Sequence, residues 1–272
     1  MSARNITFGL FLTSLLTSPV AFGAADYVTL QERAQGQSIS GGNVLNDSLF
    51  NNPAGSTFTN VYALEANLRT LKNFSASILD TTSQQLTGGL AYFRRELTPG
   101  NPLLTQGGRV NLATRVSDAL GMGVTGKYID GYESDTLKHM NLTEIDLGAL
   151  ANFNFMQVGL HVRNLFGGLE SMDLPRELVL ATRFVYKNQL FFSASTVAQY
   201  GIRPKQVGVG MEYVSPYYFA LKGGYYFLPS TRMQSWTAGL SFISPKLSLH
   251  YAVEFPNLGR EMLHQIGLTL LM

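Results

Sequence analysis

The chain has 272 residues, a formal net charge of +2, no cysteine, and only 14% charged residues. A balance this close to neutral, without a basic cluster, argues against a nucleic-acid partner. The lack of cysteine excludes disulfides and thiolate-bound metals, and so few charges are unusual for a soluble surface.

Residues 1–25 are predicted to be a cleaved secretory signal peptide. Arg4 precedes an apolar run over residues 8–16, and small residues follow at 21–25. The run is too short to anchor the chain, because a spanning helix needs about 20 apolar residues. The exported chain is therefore expected in the periplasm, in the medium, or in the outer membrane.

Residues 26–56 differ in character from the rest of the chain. They are polar and rich in glycine, and they end on the run Asn52-Pro53-Ala54-Gly55. This composition does not predict a long helix, although residues 44–50 could form one short turn. We predict a separate segment that precedes the first strand.

From residue 57 to residue 272, apolar and polar side chains alternate in segments of about ten residues, as in Leu247, Leu249, Tyr251, Val253 and Phe255. A period of two predicts strands with one apolar and one polar face. We count fourteen segments, which start near residues 57, 73, 85, 107, 120, 139, 155, 176, 189, 205, 216, 233, 246 and 261. The segments near 73, 85 and 189 alternate poorly, so twelve strands is the alternative.

The connections between these segments alternate in length. Short ones fall at 117–119, 152–154, 187–188, 215–216 and 244–245, and longer ones fall at 98–106, 130–138, 165–174, 201–204, 228–232 and 256–260. Short periplasmic turns and longer outside loops are typical of transmembrane β-barrels, whereas a soluble β-sandwich has no reason to sort its loops. The sequence therefore predicts an all-β, antiparallel, multi-pass barrel in a Gram-negative outer membrane.

Ten charged residues fall on the polar faces of these strands: Arg109, Arg115, Glu144, Asp146, Arg163, Arg183, Glu212, Lys222, Lys246 and Glu254. An Arg or Lys that faced lipid near the midplane would cost about 2–4 kcal/mol. We therefore predict that the ten form a structural ladder inside the lumen. Their mixed sign favours a narrow or filled interior over a wide pore.

The last eight residues predict the closing strand of the barrel. Ile266, Leu268, Leu270 and Met272 share one face, and such a strand would pair with the first one and remove both sheet edges. The spacing of Gln265, Gly267, Leu270 and Met272 resembles the signal that the bacterial barrel-assembly machinery recognises, although Leu270 and Met272 stand where aromatics are usual. The expected partners are this machinery during biogenesis and the lipids of the outer membrane.

The glycine and turn pattern resembles a known family. The relevant elements are Asn52-Pro53-Ala54-Gly55 before the first strand, the run from Val158 to Asn164, Gly210-Met211-Glu212-Tyr213, and Lys222-Gly223-Gly224-Tyr225. They are similar to those of the FadL-like outer-membrane transport family, and above all to its smaller PorV/PorQ-type branch. The resemblance implies a fourteen-stranded barrel with residues 26–56 in the lumen as a hatch. It also implies ligand-binding or gating roles for the hatch residues Leu45, Leu49, Phe50, Asn52 and Pro53, although these could merely wedge the hatch in place.

Three functions stay open at this point. The barrel could pass hydrophobic or small molecules, it could serve a secretion or surface-assembly partner as the PorV type does, or it could be purely structural. The short outside loops favour the smaller branch over ligand-specific uptake. A gap in the wall would favour transport, and Gly88-Gly89 and Gly121-x-Gly123 are the predicted kink sites.

Nothing in the sequence predicts an enzyme. His139, His161, His250 and His264 are not at metal-ligand spacing, and neither Gly-x-Ser-x-Gly nor His-x-Ser-Asn-Gly occurs. The acidic loop at 130–135 lacks the regular spacing of a calcium site. We predict no catalytic residues, no metal and no cofactor.

Overall fold

The computed structural model describes residues 27–42, 44–83, 85–96, 103–133, 138–166, 175–199, 203–257 and 261–272. The predicted signal peptide lies outside these residues, as do residues 134–135 of the acidic loop. Among the residues described, no helix is long and apolar enough to cross a membrane.

Fourteen antiparallel strands form one closed barrel, in which each strand pairs with its neighbours in sequence and β1 pairs with β14. The strands are β1 (Tyr62–Thr70), β2 (Asn73–Asp80), β3 (Thr87–Glu96), β4 (Leu103–Ser117), β5 (Leu120–Glu133), β6 (Lys138–Asn152), β7 (Met156–Arg163), β8 (Glu177–Tyr186), β9 (Leu190–Gln199), β10 (Arg203–Val214), β11 (Phe219–Leu228), β12 (Met233–Ile243), β13 (Leu247–Pro256) and β14 (Leu263–Leu271). The predicted fold and strand count are confirmed, and the alternative of twelve strands is wrong.

Closure joins the first strand to the last. Ala63 lies opposite Leu271 and Leu68 lies opposite Ile266. At one end of this seam, the Met272 N–H donates to the Tyr62 carbonyl at 2.8 Å. We call the end of the barrel that holds Tyr62 and Met272 the terminal end, and the opposite end the loop end.

From β3 to β14 the connections at the terminal end are short, as predicted, but residues 200–202 at the loop end form a connection that is just as short. Residues 118–119, 153–155, 187–189, 215–218 and 244–246 connect strands at the terminal end. The hairpin of β1 and β2 departs from the pattern, because only Leu71 and Lys72 join these strands at the loop end. The connection from β2 to β3 is also longer than a tight turn, at residues 81–86 of the terminal end.

The two faces of the wall have opposite chemistry. On β8, Leu178 and Leu180 are 43% and 47% exposed on the outer face, whereas Val179 and Ala181 between them are 1% exposed. The outer face offers apolar side chains to its surroundings, which is the arrangement of a barrel in lipid. Alternation is poor in β2 and β3 because Leu79, Ala91 and Phe93 place apolar side chains on the inner face as well.

The two predicted kink sites differ. Gly88 and Gly89 pair continuously with β2 and β4. Gly121 and Gly123 pair continuously with β6, but on the β4 side a register shift falls between Arg115, the partner of Gly121, and Ser117. Two other shifts occur between Leu68 and Thr70 and between Pro204 and Gln206. The structure therefore has an irregularity beside Gly121 and none at Gly88-Gly89.

The described residues before β1 form only short helices. Helix α1 (Leu30–Ala34) begins at Thr29, whose hydroxyl accepts the Glu32 N–H at 3.2 Å. Three 3₁₀ helices follow at Ile39–Gly41, Asn46–Leu49 and Pro53–Ser56. Helix α1 contacts β11–β14, and the 3₁₀ helices contact β7–β9, β1–β4 and β4–β6 in turn. We call residues 27–56, as far as they are described, the N-terminal segment.

Candidate functional site: the filled lumen

Several glycines of the inner wall lie directly against the N-terminal segment. A Cβ on Gly210 would lie 2.4 Å from the Gln35 carbonyl oxygen, and a Cβ on Gly224 would lie 2.3 Å from the Gly36 nitrogen. Gly36 itself has a φ of +61°, a conformation that favours glycine. The backbone of the segment therefore fits against β10 and β11 only because side chains are missing at these positions.

Asn52 and Pro53 make a second close fit. A Cβ on Gly148 would lie 2.1 Å from Asn52 Oδ1 and 2.7 Å from Pro53 Cδ. The Asn52 amide donates to the Ala149 carbonyl at 2.9 Å, while its Oδ1 accepts the Ala54 N–H at 3.1 Å. The Asn-Pro-Ala-Gly run is thus a helix cap hydrogen-bonded to the wall.

An apolar cluster occupies one side of the lumen. Leu49 is 0% and Phe50 is 1% exposed, and Leu45 packs against them from the edge of the cluster. The Phe50 ring centroid lies 5.1 Å from that of Tyr27 and 6.4 Å from that of Phe93. The wall contributes Leu79 of β2, Ala91 and Phe93 of β3, Ile129 of β5 and Leu142 of β6. We call this cluster the apolar side.

Arg109 borders the apolar side with a buried charge. Its guanidinium carbon lies 5.1 Å from the Phe50 ring centroid and 5.5 Å from the Phe93 ring centroid. It also donates to the carbonyls of Leu49 and Phe50 at 3.4 and 3.3 Å. Asp146, 4.0 Å away, supplies a counter-charge. Arg109 therefore stabilises both rings and ties the segment to β4.

Charged groups face the segment across the lumen. Arg33 of α1 pairs with Glu254 and donates to Gln265 at 3.1 Å. Glu212 lies 2.8 Å from Arg183 and 3.4 Å from Lys222. We call the inner faces of β10–β13, with these groups, the polar side. Here α1 is held by directional hydrogen bonds and ion pairs.

The ten predicted ladder residues do not all lie in the lumen. Seven are buried in the lumen: Arg109, Glu144, Asp146, Arg183, Glu212, Lys222 and Glu254. The Arg163 side chain is 11% exposed and donates to Asn51 of the segment at 3.1 Å. Arg115 and Lys246 are exposed at the terminal end, where Lys246 lies in the turn before β13 rather than on its inner face.

The predicted assembly residues divide between the two faces of β14. Gln265 and Gly267 point inward, whereas Leu270 and Met272 are 40% and 68% exposed on the outer face. Gly267 faces the Asn67 side chain, and a Cβ added there would lie 2.3 Å from Asn67 Oδ1. The structure gives their positions, and their role in assembly stays a prediction.

Buried charged residues such as Lys127 and Glu65 were missing from the predicted ladder. Lys127 lies 2.9 Å from Asp146. His161, which the alternation of β7 places on the lumen face, lies 3.9 Å from the same carboxylate. Glu65 of β1 accepts from Asn67 at 2.6 Å. Every second residue of β1 and β5 faces the lumen, and this alternation could have identified Glu65 and Lys127. The glycines that fit the segment gave no signal, because a residue without a side chain carries no hydrophobic pattern.

Two titratable groups of the N-terminal segment are perturbed by burial. Burial raises the pKa of the Tyr27 hydroxyl. Burial, and then the nearby Glu65 carboxylate, raise the pKa of Asp47 well above its ordinary value. Among the described residues, no three His, Asp or Glu side chains are grouped to hold a metal ion.

Known channels share this architecture. The CymD monoaromatic hydrocarbon channel aligns with a TM-score of 0.70 at 12% identity, over 91% of this chain and 97% of CymD. The Pseudomonas putida toluene transporter TodX aligns with a TM-score of 0.61 at 11% identity, over 92% of this chain and 97% of TodX. A FadL homologue from Pseudomonas aeruginosa aligns with a TM-score of 0.60 at 13% identity, over 90% and 99% of the two chains.

Identities this low establish the fold alone. No protein-family model matches the sequence, and no curated protein matches it. Of the three structures named here, CymD is described as a hydrocarbon channel and TodX as a toluene transporter, and all three share the predicted barrel fold.

Proposed function

We propose that this chain is an outer-membrane channel that passes small hydrophobic molecules through a barrel plugged by its N-terminal segment. The terminal end faces the periplasm, which puts the short turns on the periplasmic side. The observation that carries the proposal is the apolar side of the lumen, where Leu49 and Phe50 cover apolar wall residues at 0% and 1% exposure. The fold shared with hydrocarbon channels supports the same assignment.

The apolar side gives a hydrophobic molecule a place to bind. Contacts between apolar groups are not directional, so a similar molecule can replace an apolar side chain with little loss. The Phe50 ring lies among Tyr27, Phe93 and Arg109. A monoaromatic molecule can take the place of this ring when the segment withdraws. In this mechanism the plug acts as a gate, and its own Phe50 competes with the cargo.

Uptake of radiolabelled toluene tests the proposal. The protein is expressed in bacteria that lack a hydrocarbon channel. One control strain expresses a barrel of similar size, and a second carries the empty vector as the baseline. We expect toluene to accumulate faster with this protein than with either control. Swelling of proteoliposomes in arabinose measures small polar solutes in parallel, and we expect little swelling because the lumen is filled.

Ligand retention gives a second readout. The barrel is purified in mild detergent and extracted with solvent, and amphiphiles enriched over the control barrel are identified by mass spectrometry. Enrichment that is lost on deletion of residues 45–55 places the site at the segment. The absence of toluene uptake above the control would contradict the channel, and cross-linking for a protein partner would then test the PorV-like accessory function.

A further inference from the structure

A cavity of about 400 Å³ opens at the terminal end of the lumen, between the inner faces of β6–β9. We call it the vestibule. Small-molecule sites usually have volumes of roughly 300–1,000 Å³, so the vestibule can hold one compact ligand. The strands around the vestibule are not those that α1 contacts, which are β11–β14. The N-terminal segment reaches the vestibule at Gly42, where an added Cβ would lie 2.8 Å from Arg183 Cδ.

Arg183 gives the vestibule its charge. The residue is 8% exposed, and its guanidinium carbon lies 4.2 Å from the Phe191 ring centroid. Glu212 pairs with Arg183 at 2.8 Å, but it is shared with Lys222 at 3.4 Å. Arg183 is the charged residue among the described lining residues, which include no acidic side chain. An arginine in a lining without carboxylates favours a ligand with a negative charge.

The rest of the lining combines amides with apolar surface. Asn152, Asn154, Gln157 and Asn188 supply carboxamide groups. Gln157 donates to Asn152 Oδ1 at 3.0 Å, so we assign Asn154 and Asn188 as the amide donors to a ligand. Phe153, Val185 and Phe191 supply the apolar surface. An arginine and amides bind a carboxylate through charge-assisted hydrogen bonds, and aromatic rings pack against a flat ring.

We propose that the vestibule is a binding site for small aromatic carboxylates, with the carboxylate at Arg183 and the amides and the ring against Phe153 and Phe191. This site is separate from the apolar side and takes an anion rather than an uncharged hydrocarbon. It does not depend on transport.

Fluorine NMR of 4-fluorobenzoate with the purified barrel in micelles tests the site, because the charged ligand stays out of the detergent. We expect the ligand signal to broaden and unlabelled benzoate to reverse the broadening. We expect neutral 4-fluorobenzamide to bind at least about tenfold more weakly, since hydrogen bonds to charged groups contribute roughly 1.5–3 kcal/mol.

Two substitutions in one turn locate the ligand. Asn188 lines the vestibule and has a φ of +53°, so Asn188→Gly removes the amide while the backbone conformation is preserved. We expect this variant to bind fluorobenzoate about tenfold more weakly. Lys187 has a φ of +51° and does not line the vestibule, so Lys187→Asn is the matched control and should change binding by less than about twofold.

Three results would overturn the proposal. Equal affinity for fluorobenzoate and fluorobenzamide would exclude a role for the positive charge. Unchanged binding by Asn188→Gly, in a barrel that still shows heat-shifted migration on gels, would place the ligand elsewhere. Equal losses in Asn188→Gly and Lys187→Asn would show a general effect of altering the turn rather than the loss of an amide that binds the ligand. Phe191→Leu keeps the apolar lining but removes the stacked ring, and undiminished binding by this variant would contradict the ring position.

Discussion

The polar and apolar sides of the lumen hold the N-terminal segment in different ways. On the polar side, the Gly36 N–H donates to Thr237 at 3.0 Å and Thr237 donates to the Ala34 carbonyl at 3.3 Å. On the apolar side, Leu49 and Phe50 pack against rings and aliphatic groups. Directional bonds fix where the segment lies, whereas apolar packing tolerates replacement by another apolar molecule. The comparison separates an anchor from an exchangeable contact.

Loss of the Phe50 ring should have the largest effect. Phe50→Ala removes a fully buried aromatic side chain, which typically costs about 3–5 kcal/mol. Arg33 is the only Lys or Arg between Arg4 and Arg69, so tryptic cleavage after Arg33 reports release of the segment. We expect rapid cleavage in Phe50→Ala.

Toluene sharpens this prediction. An apolar cavity of this kind stays dry and accepts a benzene-like molecule, so added toluene should slow the cleavage of Phe50→Ala. It should have less effect on Phe50→Leu, which leaves a smaller space. Cleavage of Phe50→Ala at the same rate as the unmodified barrel would show that the apolar side does not hold the segment.

A side chain at Gly210 should break the anchor. A Cβ there would lie 2.4 Å from the Gln35 carbonyl oxygen and 2.6 Å from Ser38 Oγ. We expect Gly210→Val to weaken docking by about 1–3 kcal/mol, the range typical of overpacking. The matched control is Gly126→Val, since Gly126 has nothing within 4 Å of an added Cβ. Equal tryptic cleavage of the two variants would contradict the close fit.

The smallest effect should be a pH dependence from Asp47. Its pKa is raised by burial and by the Glu65 carboxylate, so docking favours the protonated carboxyl. Of the other charged groups that act on Asp47, Lys222 lowers this pKa and Glu32 raises it. The contribution of Asp47 to docking is fully present below the ordinary Asp pKa of about 4, and it is lost as the pH rises through the raised pKa.

Asp47→Asn tests this dependence, since the amide cannot ionise. We expect tryptic cleavage of the unmodified barrel to increase with pH over this range, and we expect a flatter profile for Asp47→Asn. The Thr29 hydroxyl forms a hydrogen bond with the Asp47 side chain, and it can form one with the amide of the Asp47→Asn variant as well. Parallel pH profiles for the two proteins would rule out Asp47 as the titrating group.

The wall could be predicted from sequence because its chemistry repeats with a period of two. Leu178 and Leu180 face outward while Val179 and Ala181 face inward, and this pattern marks a strand wherever lipid contacts one face. The alternation does not show where a strand begins. For this reason Lys246 was assigned to β13, although it lies in the preceding turn.

The lumen was harder to predict than the wall. The path of residues 27–56 depends on contacts with strands distant in sequence, such as Arg33 with Glu254. Gly148 and Gly210 fit the segment through missing side chains, and they were not distinguishable from turn glycines. The vestibule depends on the pairing of β6–β9 in space, since no local motif joins Arg183 to Asn152.

A reversible lock on the segment tests the central claim most directly. The Asn46 amide lies 2.9 Å from Ser77 Oγ of β2, so Asn46→Cys with Ser77→Cys brings two thiols close together in a chain without other cysteines. Loss of free thiol on oxidation shows that the disulfide has formed before uptake is measured. The control pair is Thr59→Cys with Thr81→Cys, whose hydroxyls lie 3.3 Å apart outside the segment. We predict that the oxidised lock stops toluene uptake, that reduction restores it, and that the oxidised control pair is unaffected. Equal uptake through the locked and reduced barrels would contradict passage gated by the N-terminal segment.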